Sequence, residues 1–251
     1  MSIFLNNKER ILTSLALLAV ILFIGFLDNL FVMWVVFGAI YLLAFNEAVK
    51  LFEIKSNSLY FYALFIWLLA GIYPYGDDLF VLAGIVYASG IAYSKDLEWK
   101  DFLPFIYPTA GMLFTFTMYQ EYGLISLLWL LIVVAMTDIG AYAVGKSIGK
   151  TKFCEASPNK TMEGVIGGIV VATFSGLFIG LSFVDAWLAF VISFIVATSS
   201  IFGDLFESSL KRKAGVKDSG NILPGHGGVL DRIDGYLFGA IVMLILLRGL
   251  V

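Results

Sequence analysis

The sequence is poor in charged residues and in residues that form covalent or metal cross-links. Only 14% of its 251 residues are charged, whereas 60% are hydrophobic, and this balance lies outside the range of soluble globular domains. A single cysteine, Cys154, excludes an internal disulfide. A single histidine, His226, argues against a histidine-based metal site. These shortages exclude a soluble domain and predict an integral membrane protein.

Long apolar runs make up most of the chain, and about nine of them approach or meet the length of at least about 17 residues that a membrane-spanning helix needs. They comprise residues 11–27, 30–45, 59–73, 79–93, 102–119, 124–144, 165–184, 186–206 and 233–250. The third and fourth runs are short and need flanking aromatic residues at the interface to cross; alternatively, both form one re-entrant hairpin. The first run lacks a small-residue cleavage site before Asp28, so we expect a retained helix.

The predicted fold is therefore all-α, a polytopic bundle of about nine transmembrane helices. We expect a single integral membrane domain over residues 1–251, with N-terminal helices in 1–120 and the helices and catalytic loops in 121–251. No linker, low-complexity segment or internal repeat divides it.

Lysine and arginine are missing from every second loop. Of the 16 Lys and Arg residues, all except Arg248 fall in the N-terminal segment or in the alternate loops. The intervening loops contain acidic residues and no cation, and they lie around Asp28, Asp77, Glu121 and Asp185. The positive-inside rule places the cationic loops and the N-terminus in the cytoplasm, and nine crossings place the C-terminus outside. The two longest loops, 145–162 and 211–232, are then both cytoplasmic.

Several carboxylates lie in apolar runs or at their ends. They are Asp138, Glu163, Asp204 and Glu207. A charge at the bilayer centre costs a few kcal/mol and normally faces a polar cavity, so we expect these groups to converge. Asp204, Ser208 and Lys211 follow at i, i+4 and i+7, on one helical stripe. For Asp204 and Glu207, a helix end in contact with headgroup water is an equally good explanation.

The segment 208–234 concentrates glycines and cations between the last two runs. Gly225, Gly227 and Gly228 tolerate positive φ and close backbone approach, so their N–H groups can line a phosphate. The cations suited to phosphate oxygens are Lys211, Arg212, Lys217 and Arg232. Lys213 is explained by an anchor on the inner face. His226 is a candidate phosphate donor, with a general base or a loop residue held by backbone contacts as alternatives.

Asp231 and Asp234 stand three residues apart where the last run begins, on one face if a helix starts near Leu230. Acids in a first helical turn also stabilise the helix dipole, which is the simpler explanation. Arg232 between them and the glycines just before them favour a further role. Hard carboxylates beside phosphate-binding cations are typical of a magnesium–nucleotide site.

The loop before the seventh run offers a second anion site. Ser157 as N-cap with Pro158 in the first turn, or Thr161 as a later N-cap, opens a helix whose N-terminus attracts anions, and Lys160 reinforces that attraction. A nearby match to the phosphate-loop pattern, residues 140–147, is rejected because it ends an apolar run instead of following a β-strand.

These motifs resemble the phosphatidate cytidylyltransferase family, also called CDP-diacylglycerol synthases. The resemblance is carried by SxLKR, KDxG and LPxHGGVxDRID between Ser208 and Asp234, which agree with the family signature throughout. Gly203-Asp204 with Glu207-Ser208, and the block Ser157-Pro158-x-Lys160-Thr161-x-Glu163-Gly164, are also similar to it. The likeness is specific from about Thr137 to Asp234.

The resemblance implies that CTP reacts with phosphatidate to give CDP-diacylglycerol and pyrophosphate, with Mg²⁺ as cofactor and one or two cations bound. The implied catalytic residues are Asp204, Asp231, Asp234 and Lys211, of which the three aspartates are the metal ligands. The implied substrate-binding residues are Lys160, Thr161, Ser208, Arg212, Lys217, His226, Gly227, Gly228 and Arg232. Asp138, Glu163 and Asp218 are second choices, as ligands or as organisers of the cations.

The expected partners are CTP, phosphatidate, the lipid bilayer and a second copy of the chain in a homodimer, with no nucleic acid. We expect a multi-pass protein of a bacterial-type inner membrane, with the active site facing the cytoplasm. One alternative is a related CTP-dependent enzyme that acts on another membrane lipid. A transporter is the other, but the nearly uncharged outer loops argue against it because a passage needs polar groups on both sides.

Overall fold

The computed structural model describes residues 15–16, 18–56, 58–93 and 97–251. In these ranges the chain is helical, contains no β-strand and forms only two isolated bridges, Lys152–Thr161 and Leu223–Gly227. The all-α prediction is confirmed. Lys8, Arg10, the first residues of the first apolar run and Lys95 lie outside the described residues.

The α-helices are α1 (Leu18–Leu27), α2 (Leu30–Leu51), α3 (Ser58–Ala70), α4 (Asp78–Tyr93), α5 (Ala110–Ile148), α6 (Met162–Gly180), α7 (Ala186–Lys213) and α8 (Leu230–Leu250). A 3₁₀ turn (Trp99–Phe102) and a π-helical turn (Phe105–Thr109) lead into α5. Five helical stretches in the described residues are long and apolar enough to cross a membrane: α2, Trp99–Ile148, α6, α7 and α8. The described parts of α1, α3 and α4 are shorter.

Large apolar side chains lie on the outside of several helices. Phe26, Phe61 and Phe178 are each more than two-thirds exposed. So many exposed large apolar side chains are unfavourable in water and are expected where lipid surrounds the helices. Together with the five apolar helical stretches, it indicates a membrane protein.

The stretch Trp99–Ile148 is interrupted at Gly123, whose φ of 71° and ψ of −171° are not helical. Glycine adopts a positive φ without the steric cost that other residues carry. Just after the interruption, the Ser126 hydroxyl donates to the Gly123 carbonyl at 2.7 Å. The interruption falls between the fifth and sixth predicted apolar runs, so these two runs are separate helical segments.

The chain divides into two compact units. Unit 1 comprises Met1–Gln120 and Ala214–Ile233, and unit 2 comprises Glu121–Lys213 and Asp234–Val251. In unit 1, α2 and α3 are joined by two tryptophans: the Trp34 indole donates to the Trp67 carbonyl at 3.0 Å, and the Trp67 indole donates to the Trp34 carbonyl at 3.1 Å. Gly38 makes this approach possible, because a Cβ there would lie closer than 3.0 Å to the Trp67 ring.

In unit 2, glycines let α5 and α6 pack backbone against backbone. A Cβ on Gly168 would lie 2.5 Å from the Thr137 carbonyl oxygen, and one on Gly140 would lie 3.0 Å from the Gly168 Cα. Small residues serve this purpose between membrane helices. The fully buried Trp129 of α5 donates its indole N–H to Ser193 of α7 at 2.9 Å. These contacts fix α5 against α6 and α7.

Candidate active site

The side chains of Thr161 and Glu163 hold the loop that leads into α6. Thr161 is the N-cap of α6: its backbone is extended and its hydroxyl accepts the Gly164 N–H at 3.1 Å. The alternative with Ser157 as N-cap is wrong, because α6 begins at Met162. Thr161 thus has a structural task in addition to any contact with substrate.

Glu163 binds the beginning of this loop. Its carboxylate accepts the N–H of Lys150 at 3.1 Å, and the N–H and hydroxyl of Thr151 at 3.2 and 2.9 Å. The Phe153 N–H donates to the Lys160 carbonyl at 2.9 Å, so the loop folds back on itself. Of the two roles predicted for Glu163, the structure shows an organiser of the segment that carries Lys160.

Lys160 forms an ion pair with Asp204 of α7. The two side chains are 22% and 27% exposed, so water screens the pair only in part. The Ser208 hydroxyl donates to the other carboxylate oxygen of Asp204 at 3.2 Å. This contact is consistent with the prediction that Asp204 and Ser208 lie on one helical stripe.

Lys211 pairs with Glu207, one turn earlier on α7, at 2.6 Å between Nζ and Oε2. The Glu207 side chain is fully buried and the Lys211 side chain is 12% exposed. Glu207 was singled out only as a carboxylate near a helix end, although the i,i+4 spacing to Lys211 could have indicated the pair. It holds the Lys211 ammonium in place.

Asp234 of α8 lies within electrostatic range of Asp204, Asp138 and Lys211. We call Asp138, Lys160, Asp204, Lys211 and Asp234 the acid–lysine cluster. Of the four carboxylates predicted to converge, Asp138 and Asp204 both lie within electrostatic range of Asp234, whereas Glu163 binds its own loop and Glu207 pairs with Lys211. The lysines offset mutual repulsion among the acids, and they are suited to bind phosphate oxygens as point charges.

A polar cavity of about 400 Å³ adjoins this cluster. Its lining includes Asp138, Tyr142, Lys146, Asn159, Lys160 and Thr161. The Lys146 ammonium lies 5.6 Å from the centre of the Tyr142 ring, a cation–π distance. The volume falls in the range of roughly 300–1,000 Å³ that is common for ligand sites, and the two lysines suit an anionic ligand.

The donor atoms of the cluster suit Mg²⁺. Mg²⁺ prefers oxygen ligands and is commonly held by one or two carboxylates, with substrate phosphates and water completing its shell. Asp204 and Asp234 supply two carboxylates within electrostatic range of each other. Among the described residues, no three or more His, Cys, Asp or Glu side chains are grouped closely enough to hold a metal alone. The arrangement therefore fits a cation that shares its ligands with substrate.

In unit 1, residues 219–228 form a compact turn, which we call the glycine loop. The Leu223 N–H donates to the Gly227 carbonyl and the His226 N–H donates to the Leu223 carbonyl, both at 2.9 Å. Gly225 and Gly227 have φ values of 74° and 82°, as predicted, and Gly228 does not. Gly228 is instead required by close approach, because a Cβ there would lie 2.5 Å from a carboxylate oxygen of Glu47.

Asp231, in the first turn of α8, closes the glycine loop. Its Oδ2 accepts the N–H and the hydroxyl of Ser219 at 2.9 and 3.0 Å, and the N–H of Gly228 at 2.7 Å. The Gly228 N–H, predicted to line a phosphate, is therefore engaged by Asp231. Asp231 has a structural task that the sequence did not reveal, beside the metal-binding role predicted for it.

The remaining predicted residues lie at the surface of the protein. Arg232 is exposed and donates its Nε–H to the His226 carbonyl at 3.1 Å, while the His226 ring lies 3.3 Å from the Pro224 carbonyl. The bond from Arg232 keeps its side chain beside the His226 backbone. The other exposed residues are Arg212, Lys217 and Asp218.

Sequence reasoning missed Glu47. This carboxylate lies near the C-terminal end of α2, is 1% exposed, and contacts the glycine loop and the start of α8. Its partner Ser219 is 172 residues away in sequence. No spacing rule connects residues so far apart, and a single acid near the end of an apolar run looks like an ordinary interfacial charge.

Taken together, these features define a class: a helical membrane protein with lysines held beside carboxylates, and with a glycine loop opening a helix. The chain belongs to the cytidylyltransferase family, whose sequence profile matches residues 8–250. It is 44% identical to the phosphatidate cytidylyltransferase of Helicobacter pylori strain J99, over 96% of this chain and 92% of the relative.

Two further relatives carry the same name. The phosphatidate cytidylyltransferase of H. pylori strain 26695 is 43% identical over 94% of this chain and 90% of its own length. That of Bacillus subtilis is 49% identical over 47% of this chain and 46% of its own length. The similarity therefore covers nearly the whole chain in the first two relatives and about half of it in the third.

Proposed function

We propose that this protein transfers the cytidylyl group of CTP to phosphatidate, giving CDP-diacylglycerol and pyrophosphate for phospholipid synthesis. The observation that carries the proposal is the 44% identity, over 96% of the chain, to a protein named phosphatidate cytidylyltransferase. The acid–lysine cluster and its adjoining polar cavity supply the chemistry that such a transfer needs, because both substrates are phosphate esters.

In this reaction a phosphate oxygen of the lipid attacks the α-phosphorus of CTP. The new P–O bond forms as the bond from that phosphorus to the bridging oxygen breaks, and pyrophosphate leaves with the bonding electrons. Lys160 and Lys211 are held by Asp204 and Glu207, so they need little rearrangement to stabilise the developing negative charge. Arg212, Lys217, His226 and Arg232 bind further phosphate oxygens.

We propose Asp204, Asp231 and Asp234 as the Mg²⁺ ligands. Because no three acids are grouped for a metal among the described residues, Asp204 and Asp234 would hold the cation together with substrate phosphates, and Asp231 would join them once substrate is bound. When bound, Mg²⁺ neutralises phosphate charge and polarises the P–O bonds. Support comes from the proximity of Asp204 and Asp234, and from the spacing of three residues between Asp231 and Asp234 in α8. Thr161 and Ser208 complete the substrate contacts, while Asp138, Glu163 and Asp218 act as organisers.

Purified protein is expected to release pyrophosphate from labelled CTP and to form a labelled lipid only when phosphatidate and Mg²⁺ are both present. Chelation with EDTA should abolish turnover, and added Mg²⁺ should restore it. Labelled product with another acceptor lipid, and none with phosphatidate, would favour the related-enzyme alternative. Counterflow in sealed vesicles without pyrophosphate release would favour a transporter.

We further propose a multi-pass protein of a bacterial inner membrane with nine crossings, the cationic loops and active site in the cytoplasm and the C-terminus outside. The 50-residue stretch Trp99–Ile148 supports two of these crossings, since at about 1.5 Å per residue it is more than twice as long as a hydrocarbon core of about 30 Å. The resemblance also supports a homodimer, which light scattering of the detergent-solubilised protein can measure.

The topology can be tested with the single native cysteine. Cys154 lies in the loop before α6, which is cytoplasmic in our proposal. In intact cells an impermeant maleimide is expected to spare Cys154 but to label Ser182→Cys, an exposed position in the loop between α6 and α7, in a Cys154→Ala background. Permeabilised cells provide the control for reactivity. Labelling of Cys154 in intact cells would reverse the proposed orientation.

A further inference from the structure

We infer that Glu47 is a positioning residue that locks the glycine loop and the first turn of α8 in place. Glu47 does not contact the reacting atoms. It acts through the residues that it holds, because His226 and Arg232 lie beside those residues. Its consequence for catalysis rests on the proposed function, whereas its effect on the loop does not.

Three hydrogen bonds converge on the Glu47 carboxylate. The Val229 N–H donates to Oε1 at 3.0 Å, the Leu230 N–H donates to Oε2 at 2.8 Å, and the Ser219 hydroxyl donates to Oε2 at 3.0 Å. A buried carboxylate is costly unless such bonds replace its hydration. Two of the donors are at the N-terminus of α8, where the helix dipole favours a negative charge. Glu47 thus caps α8 although it belongs to α2, a helix far from α8 in sequence.

Two glycines of the loop leave the space that the Glu47 carboxylate occupies. A Cβ at Gly220 would lie closer than 3.0 Å to the Glu47 carboxyl group, and all three nearest atoms belong to Glu47. At Gly228 a Cβ would lie 2.5 Å from Glu47 Oε2. Gly220 and Gly228 are therefore needed to make room for the carboxylate. This accounts for two glycines of the motif without assigning them to substrate.

Glu47 and Asp231 hold the loop together. The Ser219 hydroxyl lies 3.0 Å from an oxygen of each carboxylate and shares its one proton between them. Each carboxylate also accepts from the backbone at the far end of the loop, Glu47 at Val229 and Asp231 at Gly228. The loop is thereby tied at both ends. Because Arg232 follows within the same helical turn and bonds the His226 carbonyl, fixing these ends also fixes the direction of both phosphate-binding side chains.

The first test is Glu47→Gln, which keeps the size of the side chain but turns an NH₂ group toward backbone N–H donors. We expect hydrogen exchange in residues 219–230 to become at least about tenfold faster, and KM for CTP to rise about tenfold. A merely structural loss of folded protein would lower apparent kcat and leave KM unchanged. The matched control is Glu53→Gln, because Glu53 is an exposed acid just past the end of α2.

Unchanged exchange in residues 219–230 and a KM within twofold of the wild type would overturn the inference. If Glu47→Gln does not fold, Ser219→Ala removes the hydroxyl shared by the two carboxylates and should show the same changes at smaller size. If the wild-type protein makes no CDP-diacylglycerol, the proposed function fails, while the exchange measurement still decides the role of Glu47.

A double-mutant cycle gives the sharper test. Gly220→Ala alone is expected to displace the Glu47 carboxylate and to raise KM for CTP about tenfold. In a Glu47→Ala background the three atoms nearest the added methyl group are gone, so it should change KM by less than twofold further. Gly249→Ala is the control, because a Cβ there meets no atom within 4 Å. Independent, multiplicative effects of Gly220→Ala and Glu47→Ala would contradict the proposal.

Discussion

Asp231→Asn is expected to lower CTP turnover at least about 100-fold while the glycine loop stays in place. Asparagine retains one oxygen, which can accept the donors now bound by Oδ2: the Ser219 N–H, the Ser219 hydroxyl and the Gly228 N–H. It loses the negative charge that the proposed Mg²⁺ site needs, and removing a charge-stabilising group from an active site commonly costs a factor of about 10²–10³. The measurement is magnesium-dependent turnover of labelled CTP by purified protein.

Asp231→Ala is the companion variant. It removes the charge and also the acceptor of three loop hydrogen bonds, so hydrogen exchange in residues 219–230 should rise as well as activity fall. Comparison of the two variants distinguishes a metal-binding role of Asp231 from its role in holding the glycine loop. If Asp231→Asn is fully active, Asp231 only holds the glycine loop and is not a metal ligand.

The parts of the site that depend on neighbours in sequence could be predicted from the sequence. The start of α8 near Leu230, Thr161 as one of two candidate caps of α6, and the placement of Ser208 on the helical stripe of Asp204 all follow from spacings of at most one helical turn. Gly225 and Gly227 adopt the positive φ that glycine tolerates without steric cost. These features depend on local geometry, which short motifs specify.

The contacts that depend on tertiary packing could not be predicted. Lys160 and Asp204 were each predicted as site residues, yet their ion pair joins positions 44 residues apart. The bond from Glu47 to Ser219 spans 172 residues. The contact of Glu47 changed the explanation of Gly228 and supplied one for Gly220, because the lack of a side chain at both positions accommodates the carboxylate. A sequence shows that a glycine is present but not which atom occupies the space it leaves.

Substitution of Lys160, which pairs with Asp204, gives the second large expected effect. Lys160→Met should lower kcat/KM for CTP by about 100- to 1,000-fold, because it removes a phosphate-binding cation and the charge that offsets Asp204. Asp204 and Asp234 would then repel each other without the nearest lysine. Lys160→Arg should restore only part of the activity, because the planar guanidinium differs in shape from an ammonium.

Asp204→Asn should cost a similar factor, and the double variant with Lys160→Met should be little worse than either single change. Residues that act as a unit show such non-additive losses, because the first substitution already removes the shared interaction. Lys152→Met is the matched control, an exposed lysine of the same loop whose side chain has no part in the proposed site. Losses that multiply in the double variant would show that Lys160 and Asp204 act separately, and the ion pair would then be incidental to catalysis.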